Sequence, residues 1–293
     1  MHNTPQQTAT PQDRTVIRQS GVRQGTEQKT RFGKALREAA PTVAAGLIFL
    51  ILWEFLVRAL KISKFILPPP SMIIESIIAN FPYLMHALAY TALITLVAFV
   101  AAVVSGILGG LLLTQHRDIE RMLWPYAIAL QVTPMVAIAP LVIIWVGLDR
   151  VWLSLMVLAW LVAFFPMLAN TVTGMKSADR GLQDVMTLYQ ASRWQRFRHL
   201  QLPAALPYIL TGARISSSLA VIGGVVAEFV AGSGASTGLA WVIVESGTLL
   251  DVPRMFAALF ILSIFGLLIW WATSVVQARL LSRWHESELE GGH

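Results

Sequence analysis

The sequence predicts an all-α fold: a polytopic membrane protein of six transmembrane helices with both termini on the cytoplasmic side. Three observations carry that expectation. Of the 293 residues, 56% are hydrophobic and 13% charged, whereas an ordinary soluble domain is about one quarter charged. Six apolar runs approach the roughly 20 residues a helix needs to cross a bilayer. Lys and Arg are shared unevenly between the connections, which orients the spans.

Taken in order, residues 1–37 are polar and carry seven Lys or Arg. That composition predicts a disordered basic cytoplasmic tail. The first apolar run begins near Pro41, too late for a signal peptide, so it reads as an uncleaved span. The spans are expected at about 41–60, 87–114, 122–147, 151–174, 207–231 and 255–277. They make up a membrane domain over 38–282, followed by a charged cytoplasmic tail over 283–293.

Glu54 lies in the first span, to be neutralised by a neighbouring helix or by Arg58 one turn on. Leu67-Pro68-Pro69-Pro70-Ser71 cannot lie inside a helix, because each proline lacks a donor and clashes with the preceding turn. Met72 to Asn80 then reads as a short surface helix capped by Ser71. Ser105, Gly106, Gly109 and Gly110 in span two, and Gly223, Gly224 and Ala227 in span five, predict close helix packing. Pro134 and Pro140 predict a kink in span three, with freed carbonyls available to a polar cavity.

With this topology the N-tail, 115–121, 175–206 and the residues after 277 hold sixteen Lys or Arg, against five on the other side. The first set is therefore cytoplasmic. The net charge of +6 follows this pattern, which speaks against nucleic acid as a partner. Without cysteine there is no disulfide or thiolate chemistry. The six histidines show no metal-ligand spacing, and no Gly-x-x-x-x-Gly-Lys-[Ser/Thr] phosphate cradle is present. Gly232-Ser233-Gly234 follows a span rather than a strand and reads as a turn.

The polar segment 175–206 is patterned. Leu182, Val185, Met186 and Tyr189 recur at helical spacing, and Trp194, Phe197 and Leu200 continue an apolar side after Ala191-Ser192. Two short amphipathic helices are expected, ended by Leu202-Pro203-Ala204-Ala205-Leu206-Pro207. From pattern alone they either lie on the membrane surface or dock a soluble partner.

The run Gln190 to Phe197, followed by Leu202 to Ile209, resembles the cytoplasmic signature of binding-protein-dependent transport permeases. Thr211-Gly212-Ala213-Arg214-Ile215, Val225-Val226-Ala227-Glu228-Phe229, Thr133 to Pro140 and Leu67 to Ser71 resemble the same family, over about 42 to 280. The nearest subgroup is the nitrate, sulfonate and taurine type, and Tyr189 to Trp194 looks more like importers of thiamine-pyrimidine or riboflavin-like compounds.

The resemblance implies a permease subunit of an ATP-driven importer in a prokaryotic plasma (inner) membrane, not itself an enzyme. Its implied partners are ABC ATPase subunits that bind ATP and Mg, an extracytoplasmic solute-binding protein, and a second permease copy, as a homodimer. No cofactor is implied in this chain. The loop between spans four and five becomes a coupling loop, with Asp184, Met186, Tyr189, Gln190, Ala191, Ser192, Arg193, Trp194, Arg196 and Phe197 meeting the ATPase.

Two departures stand out. Asp184-Val185-Met186 replaces the family's Glu-Ala-Ala, and Gln190 stands where the family has Gly. The turn is therefore expected to differ in shape, or to become helical, because Gln lacks glycine's left-handed freedom. Met135, Pro140, Arg214 and Glu228 are the candidates for the pathway or a gate. Arg214 and Glu228, fourteen residues apart, lie about 21 Å apart along a helix and cannot pair. Arg214 either snorkels or faces the pathway; Glu228 either makes a structural contact or acts at an outer gate. The rival reading, an ion-gradient-driven secondary transporter, would not need the 175–206 pattern and would usually show inverted repeats or paired intramembrane carboxylates. An intramembrane enzyme would need a convergent catalytic cluster, which is missing.

Overall fold

The computed structural model describes residues 41–289, except 42, 116, 148 and 232–236. The expected disordered tail at 1–37 and most of the Gly/Ser turn at 232–238 lie outside the described residues. All regular elements among the described residues are helices. The chain divides into two compact units, one from Met1–Ser63 with Pro69–Ser71, the other from Lys64–Pro68 with Met72–His293.

In the first unit, helix α1 covers 43–59. It closes with Lys61 in the left-handed region at φ 50°. Lys61 N–H donates to the Arg58 carbonyl at 3.3 Å and Ile62 N–H to the Val57 carbonyl at 3.0 Å, the Schellman pattern. Glu54 pairs with Arg58 as expected. It also accepts from the Ser71 N–H at 3.0 Å and the Ser71 hydroxyl at 2.9 Å. Helix α2, Pro70–Ala79, therefore starts earlier than the sequence suggests, and the group that satisfies its first turn is the carboxyl of Glu54. Ser71 is a client of that carboxyl and sits inside the helix.

The second unit is built on α3 (Phe81–Gln115), α6 (Val151–Lys176), α9 (Leu202–Ala231) and α11 (Val252–Leu289). Four helical stretches are long and apolar enough to cross a membrane: Phe81–Gln115, Val151–Lys176, Arg193–Ala231 and Val252–Leu281. A bent pair makes a fifth. That pair is α4 (Arg117–Val132) and α5 (Met135–Val146), which correspond to span three and turn through 100° at Thr133-Pro134. The expected kink is a full break. Pro134 has no N–H to continue the ladder, and Thr133 N–H is shared between the carbonyls of Ala129 and Leu130 at 3.1 and 3.3 Å.

Helix α6 is the hub, packed on α3 and α9. Leu155, Leu158, Ala159, Ala163 and Met167 are fully buried. The glycines predicted at helix contacts explain the approach. A Cβ on Gly106 would come within 2.7 Å of the Met167 side chain, on Gly110 within 2.6 Å of Thr171, and on Gly223 within 3.1 Å of the Ala159 backbone. Where lipid supplies no hydrophobic drive, such close contact is what holds helices together. Polar bonds cross the same seams: Trp160 Nε1 donates to Ser105 Oγ at 2.9 Å, and Ser216 Oγ donates to the Ala163 carbonyl at 2.7 Å.

Span five differs from its expected start. The prolines at 203 and 207 do not separate it from the preceding polar segment. Helix α8 (Arg193–Arg196), a π-helical turn (Phe197–Gln201) and α9 form one continuous run to Ala231. In the wider turn Leu202 N–H reaches the Phe197 carbonyl. A π-turn just before proline relieves the clash between its ring and the preceding turn.

Candidate functional site

Between α6 and α9 lie helix α7, Arg180–Leu188, and α8. Both are capped by their own side chains. Asp179 Oδ1 accepts from Leu182 N–H at 3.1 Å. Ser192 and Gln195 form a reciprocal capping box, with bonds of 2.8 and 3.2 Å, the arrangement a Ser-x-x-Gln sequence favours. The segment is braced at its root. Ser177 Oγ donates to the Ala204 carbonyl at 3.2 Å, Gln183 Nε2 to the Ala178 carbonyl at 2.9 Å, and Ala178 is buried.

The turn between the helices corrects an expectation. Gln190 takes φ 52°, the left-handed conformation usually left to glycine. Gln190 N–H donates to Thr187 O at 3.0 Å and Ala191 N–H to Met186 O at 2.9 Å. This is a complete Schellman closure. Two backbone bonds hold Gln190 in the left-handed state at a cost of about 1 kcal/mol. The turn therefore keeps a glycine-like geometry without the glycine.

Around this turn the apolar side chains lack cover. Tyr189 is 83% exposed, Leu188 81% and Trp194 65%; Leu182 and Val185 are exposed too. Asp184, Gln190, Ser192 and Arg193 are exposed, whereas Met186, Ala191, Arg196 and Phe197 are half-buried. Trp194 and Phe197 pack with ring centroids 5.5 Å apart. Arg196 Nε donates to the Ala191 carbonyl at 3.2 Å, so its guanidinium braces the turn.

The four pathway candidates are dispersed. Met135 packs against the buried cluster around Ile94, Leu155 and Leu158. It also lines a cleft of about 300 Å³ at the α4–α5 break, with Gln131, Thr133, Leu161, Phe165 and Leu219 among its walls. Pro140 is exposed on α5 and does not line that cleft. Arg214 places its guanidinium 4.7 Å from the Trp270 ring centroid, a cation–π pair. Alongside it, Ser217 and Thr273 hydroxyls lie 3.2 Å apart, and Gln277 Nε2 donates to Thr211 Oγ1 at 3.2 Å.

Glu228 is 0% exposed. It accepts from Thr91 Oγ1 at 2.8 Å and from Ala240 N–H at 3.0 Å. Leu239 N–H in turn donates to Thr91 Oγ1 at 2.9 Å. Glu228 thus caps a helix between spans five and six that the sequence analysis does not assign: α10, Leu239–Thr248. The other end of α10 is also tied. Tyr83 OH donates to Glu245 at 2.8 Å, and Arg254 Nε donates to Ser246 Oγ at 2.9 Å and pairs with Asp251 at 3.4 Å. Leu250, φ 57°, closes α10 as Gln190 closes α7. The signal available in the sequence was Gly238, where a Cβ would lie 2.2 Å from the Glu228 carboxyl.

Long apolar helices packed closely around α6 define a multi-pass membrane protein. The chain belongs to the binding-protein-dependent transport system inner membrane component family, which matches residues 103–282. It is a permease subunit of an ABC importer, a transport subunit whose ATPase is a separate chain. It is 34% identical to the formylaminopyrimidine transport permease protein ThiX of Halalkalibacterium halodurans, over 76% of this chain and 87% of that protein. It is 38% identical to the riboflavin transport system permease protein RibX of Chloroflexus aurantiacus, over 58% of this chain and 62% of that protein. It is 30% identical to a putative aliphatic sulfonates transport permease protein SsuC of Bacillus subtilis, over 82% and 86%. The fold matches the inward-facing MetNI methionine ABC transporter at TM-score 0.56 and 19% identity, covering 69% of this chain and 97% of that one. An amino acid ABC transporter solved with histidines gives 0.57 and 14%, covering 71% and 97%.

Proposed function

We propose that this permease spans a prokaryotic inner membrane six times, with both termini cytoplasmic and a second copy as its partner. Helix α1 and the bent α4–α5 pair are the spans added to the four long helices. The α7–α8 turn then faces the cytoplasm and receives the ATPase, which binds ATP and Mg. The sixteen-to-five distribution of Lys and Arg supports this orientation.

The observation that carries the reading is a braced, fully capped turn whose Tyr189, Leu188 and Trp194 are exposed. Exposed aromatics on a rigid element are the usual anchors of an interface. Met186 and Phe197 back them from half-buried positions, and Asp184, Arg193 and Arg196 set charge register. ATP binding closes the partner ATPases, and the turn passes that motion into α9, with which α8 is continuous. A binding protein delivers the solute on the other side, and it passes between two permeases. The solute is a small organic compound of the kinds for which the relatives are named: formylaminopyrimidine, riboflavin or aliphatic sulfonates.

The test is charge reversal, Asp184→Arg with Arg193→Glu, in permease co-expressed with its ATPase. ATPase co-purification, or stimulation of ATP hydrolysis by loaded binding protein, should fall. Coupling in liposomes equal to wild type would sink the assignment.

A further inference from the structure

A second cleft, of about 740 Å³, lies where α4 begins, α6 ends and α7 begins, and the function proposed above does not use it. Its walls include Glu120, Arg121, Trp124, Lys176, Arg180 and Gln201. The lining residues carry three cations and one carboxylate. That carboxylate is already committed, because Glu120 pairs with Lys176 between α4 and α6. Arg121 and Arg180 are both exposed, and neither guanidinium has an ion pair or hydrogen bond to any described residue. The neighbouring sequence supplies no anion to either. Asp118 stands about one turn before Arg121 on α4 and makes no ion pair with it. Arg180 is the first residue of α7, where the positive end of the helix dipole disfavours a cation. The first turn of α7 holds no acidic residue, and the N-cap carboxylate of Asp179 accepts from Leu182 N–H at 3.1 Å.

The cleft therefore presents two uncompensated positive charges, both guanidinium. Guanidinium binds phosphate through paired N–H donors and keeps its charge at every physiological pH. Gln201 adds an amide to the same wall. The cleft also lies at the depth of the lipid headgroups, since Lys176 closes the α6 span and Trp124 lines the opening as interfacial tryptophans do. Met122 and Tyr126, exposed on α4 beside Arg121, offer acyl chains an apolar surface. Basic pockets between spans at this depth suit anionic headgroups. We propose that Arg121 and Arg180 form a site for a group carrying two phosphate charges. Two sources share that chemistry: the headgroup of an anionic phospholipid, and a soluble phosphate anion.

The test uses the full-length permease in phosphatidylcholine nanodiscs, followed by scanning fluorimetry. Two probes are added separately: cardiolipin in the disc, and sodium pyrophosphate in the buffer at matched ionic strength. At least one should raise the melting temperature by about 3 °C. A shift with cardiolipin alone assigns the site to lipid, with pyrophosphate alone to a soluble anion, and with both to phosphate whatever carries it. Arg121→Gln combined with Arg180→Gln should abolish the shift, and Arg121→Lys combined with Arg180→Lys should keep part of it. Arg198→Gln removes an exposed cation outside the cleft and should leave the shift intact. Because both arginines are exposed, the variants should fold, and gel filtration checks this. No shift with either probe overturns the proposal, and so does a shift lost equally in Arg198→Gln, which marks general attraction to charge. ATPase co-purification lost in the double Gln variant with the probe shifts unchanged also overturns it, and places the two arginines at the ATPase interface instead.

Discussion

Replacing Glu228 by Ala should be among the most damaging single changes in the protein. The carboxyl takes one bond from Thr91 Oγ1 and one from Ala240 N–H, at 2.8 and 3.0 Å, in a fully buried position. Alanine leaves both donors without an acceptor. A stranded buried donor costs about 1–3 kcal/mol. Thr91 can turn its hydroxyl to a carbonyl of its own helix, but the Ala240 N–H has no such recourse. With the cavity left by the lost side chain added, the expected loss is about 3–5 kcal/mol. Glu228→Gln keeps one acceptor oxygen for Ala240 and presents an NH₂ to Thr91, which can rotate to accept it. Its expected loss is about 1 kcal/mol. For a chain of this size each kcal/mol moves the melting temperature by about 2–4 °C. Scanning fluorimetry of the purified permease should therefore rank wild type, then Gln, then Ala, with Ala lower by about 10 °C. An Ala variant within about 2 °C of wild type would refute the capping argument.

Three further outcomes follow from backbone and packing. Gln190→Gly should raise the melting temperature by about 2–4 °C, because glycine removes the left-handed cost at φ 52°. Gln190→Val should lower it, and ATPase co-purification with it, since a β-branched residue fits that region worst. Gly110→Leu should cost about 3 kcal/mol or more and broaden the gel-filtration peak, as its Cβ alone would sit 2.6 Å from Thr171.

What the sequence made legible were features written in local pattern. Apolar runs announced the long helices, the spacing of Leu182, Val185, Met186 and Tyr189 announced α7, and Gly106 and Gly110 announced the contact with α6. What stayed hidden depended on partners far along the chain. Glu228 reads as an isolated intramembrane charge until Thr91, 137 residues away, and the N-terminus of α10 meet it. Ser71 looks like a cap until Glu54 supplies one. Pro203 and Pro207 read as terminators because proline ends most helices, but the π-turn absorbs the clash before Pro203 and the helix continues through Pro207. At Gln190 intrinsic preference argues against the left-handed state, but two backbone bonds outweigh a cost of about 1 kcal/mol.

The continuity of α8, the π-turn and α9 sets a stroke length. The run from Arg193 to Ala231 holds 39 residues, about 58 Å at helical rise. It has the exposed Trp194 at one end and the Glu228 carboxyl near the other. A rod of that length tilted by about 10° about its middle carries each tip about 5 Å. Because Glu228 is bonded to the first turn of α10, that displacement reaches α10 without crossing a loop. Any tilt of the run would thus be shared with α10 through the Glu228 carboxyl.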